Sequence, residues 1–374
     1  MHKRITIPQS ASLTAPFTQG SLYVAHPLHA FLERRLPMKK TILLCLILTL
    51  LLTACASSAE PPAYAPKEEE KLVIYTSHKE EVYKPILREF EQRTGIWVEV
   101  VYGGTNELLE KIRAEKDNPK ADVMFGGGVE SLNSYRDCFR SYEAADSRNI
   151  RPLFSVSDHT WTPFSALPVV LIYNTKLVNP EHIRQWQDLT RPEFQGKIAF
   201  ADPSVSGSSF TALVTWLSVG RGSNSQKLEA FATALDGRQL SGSGEVVTAV
   251  ADGTCFVGIT LEETAVKHMA AGMDIGLVYP EEGTSCVPDG SALISGAPHG
   301  ENAKRFLDFT VSRDVQQLLP QRFSRRSVRE DVEPGESLIP LGEIPLIDYD
   351  LAWASENQAE LLSDWDFLRK EDQP

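Results

Sequence analysis

A hinged, two-lobed α/β protein is the fold this sequence predicts. The stretch KLVIYTSHKEEVYKPILREFEQRTGIWVEVVYGGTNELLEKIRAEKDNPK (71–120) runs strand, small polar turn, helix, and then repeats that order. Such a repeat is the pattern of a parallel α/β sheet. The same pattern returns after residue 198, with a serine-rich turn in place of glycines. Two strand-like segments, at 169–173 and 291–294, suit crossovers between the blocks. With 374 residues and 42% apolar content, the chain can build a large core and two domains.

The amino end comes first. Residues 41–54 form an apolar run directly preceded by Met38-Lys39-Lys40, the order of a charged segment followed by an apolar segment too short to span a bilayer. Translation is therefore expected to start at Met38, with 1–37 an upstream extension and 38–54 a signal peptide. Leu52-Thr53-Ala54-Cys55 resembles the lipobox of bacterial lipoproteins, which makes Cys55 the expected lipid carrier. An uncleaved single-pass anchor is the alternative, and both place the body outside the cytoplasm, tied to a membrane. Residues 55–70, rich in Ala, Pro, Ser and Glu without a period, read as a tether.

The formal charge is -13. Residues 1–54 hold six Lys/Arg and one acid, so the remainder carries -18. No basic stripe is left to meet nucleic acid. Beyond Cys55 the cysteines are Cys138, Cys255 and Cys286, an odd number without metal-ligand spacing.

The remaining elements follow in order. A strand at 121–125 runs into Gly126-Gly127-Gly128, and a helix is expected at 129–136. Pro163 and Pro168 exclude a helix before the strand at 169–173. A strand at 198–201 opens into DPSVSGSSF (202–210), with a helix over 209–217. Helices at 226–235 and 244–251, a strand at 255–259, and a helix to about residue 271 come next. After a strand at 275–279 the chain is expected to return to the first lobe through 291–294. Residues 302–312 carry Ala303, Phe306, Leu307 and Phe309 at helical spacing. A last helix, 349–365, is expected to cover the outside of the first lobe. The first lobe thus takes 71–168 and 291–374, and the second takes 169–290.

These strand ends define the candidate site. Ser77 with Glu80 and Thr260 with Glu263 have capping-box spacing, while Thr105 or Asn106 and Ser208 are single caps. Helix N-termini on both sides of one cleft make an anion site without requiring Lys or Arg. Phosphate, phosphonate and carboxylate groups suit it. Hydroxyls of Thr76, Ser77, Thr105, Ser206, Ser208, Ser209 and Thr260 add donors, and Gly104, Gly127 and Gly128 allow close backbone approach. His78 is a candidate donor to the solute. Glu262 and Glu282 are candidates for hydroxyls or an amine, and oxygen ligands of this kind also suit a hard cation. Enzyme chemistry has little support, because the chain has no nucleophile elbow, Walker loop or His-x-x-x-His pair.

The motifs VIYTSHKEE (73–81), YGGTNELLEKI (102–112), ADVMFGGG (121–128), YNTKLV (173–178) and GKIAFADPSVSGSSFTAL (196–213) carry a family resemblance, continued by VADGTCFVGITLEE (250–263), YPEEGTSCVPDG (279–290) and ENAKRFLDF (301–309). Over residues 71–331 the chain resembles the extracellular solute-binding proteins of bacterial ABC importers, in the class of ferric, thiamine, aminoethylphosphonate and hexose-phosphate binders. The resemblance implies the periplasmic-binding-protein type II fold, with two Rossmann-like lobes. It implies a binding protein rather than an enzyme; a monomer without cofactor is expected. Its expected partners are a small anionic solute, a permease and an ATPase. Ferric binders of this class use a histidine that His78 matches and a tyrosine pair that is replaced here by Glu262-Glu263. The glycine- and serine-rich loops look more like those of the organophosphate and phosphonate binders. Ferric iron is the alternative solute, and a ligand-sensing or adhesive surface lipoprotein is the alternative of another class.

Overall fold

The computed structural model describes residues 66–371. The expectations for the start site, signal peptide, Cys55 and most of the tether lie outside the described residues. Among the described residues, no helix is long and apolar enough to cross a membrane.

The opening repeat folds as its pattern requires. β1 (Lys71–Thr76) lies between β2 (Trp97–Tyr102) and β3 (Val123–Gly128), and both pairings are parallel. Between them run α1 (Glu80–Thr94) and α2 (Thr105–Ala114). In α1, Val82, Tyr83, Ile86, Leu87 and Phe90 fall on one face and are buried, as three- and four-residue spacing on a helix demands. The helix stops at Gly95, whose φ of 71° lets its N–H reach the Glu91 carbonyl at 2.8 Å.

The three glycines after Phe125 are strand rather than a simple turn. Gly126 and Gly127 both have φ of 98°, and the pairing of β3 slips there against the antiparallel β9 (Cys286–Ile294). A side chain at 126 would meet the His78 ring at 2.9 Å, and one at 127 would meet Thr105 at 2.7 Å. Glycine is needed for backbone shape and close packing at once.

β5 (Thr162–Asn174) is longer than the five residues expected and links the two lobes. Its first half pairs with β9 and with the short β10 (Arg326–Ser327). Its second half pairs with β7 (Val257–Leu261) and β8 (Ile275–Val278), and β6 (Ile198–Ala199) lies parallel beside β7. The path β2-β1-β3-β9-β5-β7-β6 therefore contains two mixed halves joined through one strand, and the short β4 (Phe139–Arg140) pairs with β9 off this path. β9 belongs to the first half along its whole length, so the chain returns in residues 279–285, ahead of the expected 291–294. There Val169 N–H donates to Ser285 O, and Thr284 Oγ1 donates to Val169 O.

Each half has its own core. Phe90, Phe125, Phe164 and Phe306 centre the first, under α1, α8 (Gly300–Val311) and α9 (Arg313–Arg322). Trp186, Phe210 and Phe231 centre the second, with α4 (Gly207–Ser218) and α5 (Asn224–Leu235), while α6 (Val246–Ala251) and α7 (Glu262–Ala270) pack with Val170 and Ile172 in a separate cluster. In the first half a short α3 (Val129–Ser134) follows β3.

The carboxyl-terminal segment departs from expectation. It forms α10 (Leu351–Glu356) and α11 (Gln358–Glu371), and α10 packs on the first lobe against α3. In α11, Trp365 is buried against Phe200 and Phe231 of the second lobe, at ring distances of 5.8 and 5.7 Å. Residues 291–374 thus do not all belong to the first lobe. The large ring of Trp365 finds its apolar surface on the other one.

Candidate functional site

A cleft of about 260 Å³ opens between the lobes. Its walls are Ser77–Lys79, Tyr102–Thr105 and Gly127–Gly128 from the first lobe, and Val205–Ser208, Ser243 and Leu261 from the second. Thr260, Glu263, Thr264, Leu167, Asp289 and Arg325 complete it. Nine of the expected residues meet there: Ser77, His78, Gly104, Thr105, Gly127, Gly128, Ser206, Ser208 and Thr260.

Four expected residues do not line it. Thr76 is fully buried and its Oγ1 donates to Phe125 O at 2.8 Å. Ser209 is buried one turn into α4, its N–H donating to Ser206 Oγ at 3.2 Å. Glu282 accepts from the Trp186 N–H at 2.9 Å, capping a turn in the second lobe. Glu262 is held bidentately by Arg326, with Nε and Nη2 each at 2.7 Å, and also accepts from the Tyr279 hydroxyl. So engaged and fully buried, this carboxylate is turned away from the cleft.

The capping expectations also need correction. α1 begins at Glu80 with Lys79 as its first flanking residue, so Ser77 stands too far upstream to cap it. Thr260 is paired with Val170 inside β7, which commits its backbone to the sheet, and α7 begins only at Glu262. α4 is capped by Ser206 rather than Ser208. At α2 the flanking residue is Gly104, whose N–H reaches Glu107 Oε2 at 3.4 Å.

These corrections make the cleft more receptive. α1, α2, α4 and α7 all begin at its wall, and no side chain caps α1, α2 or α7. Their first-turn N–H groups and positive ends are left to solvent or a solute. The hydroxyls of Ser77, Thr105 and Thr260 make no hydrogen bond to other described residues, and Ser208 Oγ pairs only with Ser206 Oγ at 3.1 Å.

The charged floor was not anticipated. Arg325 Nη1 donates to Asp289 Oδ2 at 2.7 Å and to Ser165 Oγ at 3.1 Å, and Nη2 reaches Glu263 Oε1 at 3.4 Å. Its Nε has no partner among the described residues. Burial pulls the arginine pKa down, but Glu263 and Asp289 outweigh it and hold the group charged. Burial pushes the Asp289 carboxyl up, against the opposing pull of Arg325 and Ser165. His78 Nδ1 stands 3.7 Å from Asp289 Oδ2. Burial first and Arg325 second drive the His78 pKa well below the usual imidazole range, so the ring is neutral and its Nε2 is unpartnered. The one sequence signal for Arg325 is a doubled arginine in an acidic chain, matching the doubled glutamate at 262–263.

The lobes also touch around the cleft. Asn106 Nδ2 donates to Ser204 O at 3.0 Å, Lys267 pairs with Glu81, and Thr211 Oγ1 donates to Glu130 Oε1 at 2.7 Å. Among the described residues, no three of His, Cys, Asp and Glu are grouped to hold a metal ion.

Residues 72–322 match the family described as bacterial extracellular solute-binding protein. The chain is 27% identical over 300 residues to Iron uptake protein A1 of Synechocystis sp., covering 76% of this chain and 82% of that protein. It is 24% identical over 255 residues to a putative 2-aminoethylphosphonate-binding periplasmic protein of Salmonella typhimurium, covering 66% and 74%. Among solved structures it is similar to the periplasmic binding protein AfuA from Actinobacillus pleuropneumoniae, determined with exogenous fructose-6-phosphate bound. That likeness has a TM-score of 0.74 and 25% identity, and covers 80% of this chain and 98% of the other.

Proposed function

Since this chain belongs to the bacterial extracellular solute-binding proteins of ABC importers, and is a binding protein rather than an enzyme, we propose that it captures a small organophosphate or phosphonate between its lobes and delivers it to a permease. The observation that carries this reading is the convergence of four helix N-termini on one cleft, three of them without a side-chain cap. Such termini bind anionic groups through backbone N–H donors. The free hydroxyls of Ser77, Thr105 and Thr260 supply further donors, and the Asp289, Glu263 and His78 floor suits the hydroxyls or amine of the solute's other end. Cys55 anchors the protein to a membrane outside the cytoplasm, with residues 56–70 as tether, and it acts as a monomer.

Ferric iron is the competing solute, supported by the name of the Synechocystis relative. The donor set favours the anion. Glu262 is buried and held bidentately by Arg326, and Arg325 lies between Glu263 and Asp289 where an iron centre would draw on the same carboxylates.

The test is a thermal-shift screen of the purified full-length chain against fructose 6-phosphate, 2-aminoethylphosphonate, inorganic phosphate and ferric citrate. A solute present at about a hundred times its Kd adds about 2.7 kcal/mol to stability, a shift that is readily measured. A large response to ferric citrate with none to the organophosphate and phosphonate would overturn the reading.

A further inference from the structure

The charged groups that face the cleft sort by depth. At the uncapped start of α1 stands the exposed Lys79, whose ammonium makes no hydrogen bond or ion pair with the described residues. α2 opens uncapped on the same wall. Both features attract negative charge. The buried floor has the opposite character. There one cation, Arg325, is shared by two carboxylates, Asp289 at 2.7 Å and Glu263 at 3.4 Å, and the His78 ring beside them is neutral. The floor therefore holds one negative charge in excess.

The hydrogen bonds show which oxygen is open. Asp289 Oδ1 accepts from the Ser165 N–H at 2.7 Å and its hydroxyl at 2.8 Å, and Oδ2 accepts from Arg325. Glu263 Oε1 accepts from Thr264 Oγ1 at 3.0 Å and from Arg325. Glu263 Oε2 accepts nothing from the described residues, although the residue is only 8% exposed and lines the cleft. A buried carboxylate oxygen is costly to leave without a donor.

We propose that Glu263 selects the second end of the solute, and that this end is an ammonium: the solute joins a protonated amine to its phosphate or phosphonate. This rests on the organophosphate or phosphonate reading above and narrows it to the amine-bearing members. An ammonium brings the positive charge the floor lacks and three N–H donors, and burial strengthens its attraction to the carboxylate. A hydroxyl donates to Oε2 but leaves the excess charge in place. The anionic end then turns away from the carboxylates, toward Lys79 and the starts of α1 and α2. Arg325 Nε, also unpartnered, makes the reverse orientation the rival, with the anion on the guanidinium; the two flanking carboxylates oppose it.

The experiment compares solutes that differ only in amine against hydroxyl: 2-aminoethylphosphonate with 2-hydroxyethylphosphonate, and glucosamine 6-phosphate with glucose 6-phosphate. Calorimetric titration of the full-length chain at neutral pH gives the affinity ratio of each pair. In at least one pair the amine is expected to bind about tenfold tighter, the difference between a charge-assisted and a neutral hydrogen bond. Glu263→Gln, which keeps the shape and one oxygen, is expected to bring that ratio within about threefold by weakening the amine alone. Glu263→Asp, which keeps the charge, is expected to retain the preference. Equal binding of amine and hydroxyl, or binding of the hydroxyl member alone, overturns the inference and leaves the organophosphate or phosphonate reading intact. A preference that survives Glu263→Gln removes Glu263 from the role. Tighter binding of both members by Glu263→Gln puts the anion on Arg325 and overturns the orientation. Binding of neither pair overturns the inference, and a response to ferric citrate alongside it overturns the solute reading as well. Should Glu263→Gln fold poorly, as its melting temperature reports, the ratios in the parent and in Glu263→Asp decide the question.

Discussion

Replacing Thr105 and Thr260 together by valine tests the anion reading with little risk to the fold. The two hydroxyls come from opposite lobes, line the same cleft, and bond to no other described residue. Valine keeps the branched shape and removes only the donor. Neither residue caps a helix through its side chain, so folding stability should change by less than about 1 kcal/mol. A hydroxyl donating to a charged acceptor contributes about 1.5–3 kcal/mol. Taking the lower figure twice gives about 3 kcal/mol, or roughly a hundredfold loss of affinity. Each single variant should lose about tenfold, and any departure of the double variant from the sum measures the coupling of the two hydroxyls through the solute they share. Calorimetric titration with the best compound from the thermal-shift screen measures this, alongside a denaturation curve. Affinity within about threefold of the parent at unchanged stability would refute the placement of the anion against these helix ends.

Two further outcomes follow from the structure. Trp365→Ala removes a buried ring packed on Phe200 and Phe231, and should cost about 3–5 kcal/mol in urea denaturation; a loss under about 1 kcal/mol would mean the terminal helix does not clamp the second lobe. Trp365→Phe should cost far less, since it also removes an indole N–H with no partner among the described residues. His299 provides a pH test. Burial pulls its pKa down, but Asp122 and Glu68 outweigh this and hold it above the usual value. A raised folded pKa contributes stability that is complete below the unfolded pKa and fades as pH rises through the folded one. Melting temperatures measured from about pH 6 to pH 9 should therefore fall with a slope that His299→Gln removes; identical slopes in both proteins would exclude His299 as the source.

Much of the cleft was legible because it is built from local rules. A strand that ends in small polar residues and then enters an amphipathic helix needs only nearest neighbours to be read, so Ser77, Gly104, Gly128 and Ser208 were found. Glu262 and Glu263 show the limit. They are chemically identical and adjacent, yet one is sealed against Arg326 and the other faces the cleft. Which one faces outward depends on where a segment some sixty residues later in the chain crosses, and periodicity carries no information about that. Arg325 was missed for the same reason. Its segment has no period, and its partners Asp289, Ser165 and Glu263 come from three separate parts of the chain.

The sequence alone therefore determined the strand-turn-helix blocks, the two lobes and the family. These follow from hydrophobic spacing, turn chemistry and motif runs within a few dozen residues. Only the tertiary structure decided that β5 carries the chain between lobes along its full length, that the return lies at 279–285, and that Trp365 belongs to the second lobe. It alone also placed a charged floor of Arg325, Asp289 and Glu263, with the neutral His78 ring beside it, beneath the helix ends. The reason is physical. Long-range pairing of charges and rings is set by where cores and sheets bring distant segments together, and the burial that results decides which group is free to meet a solute.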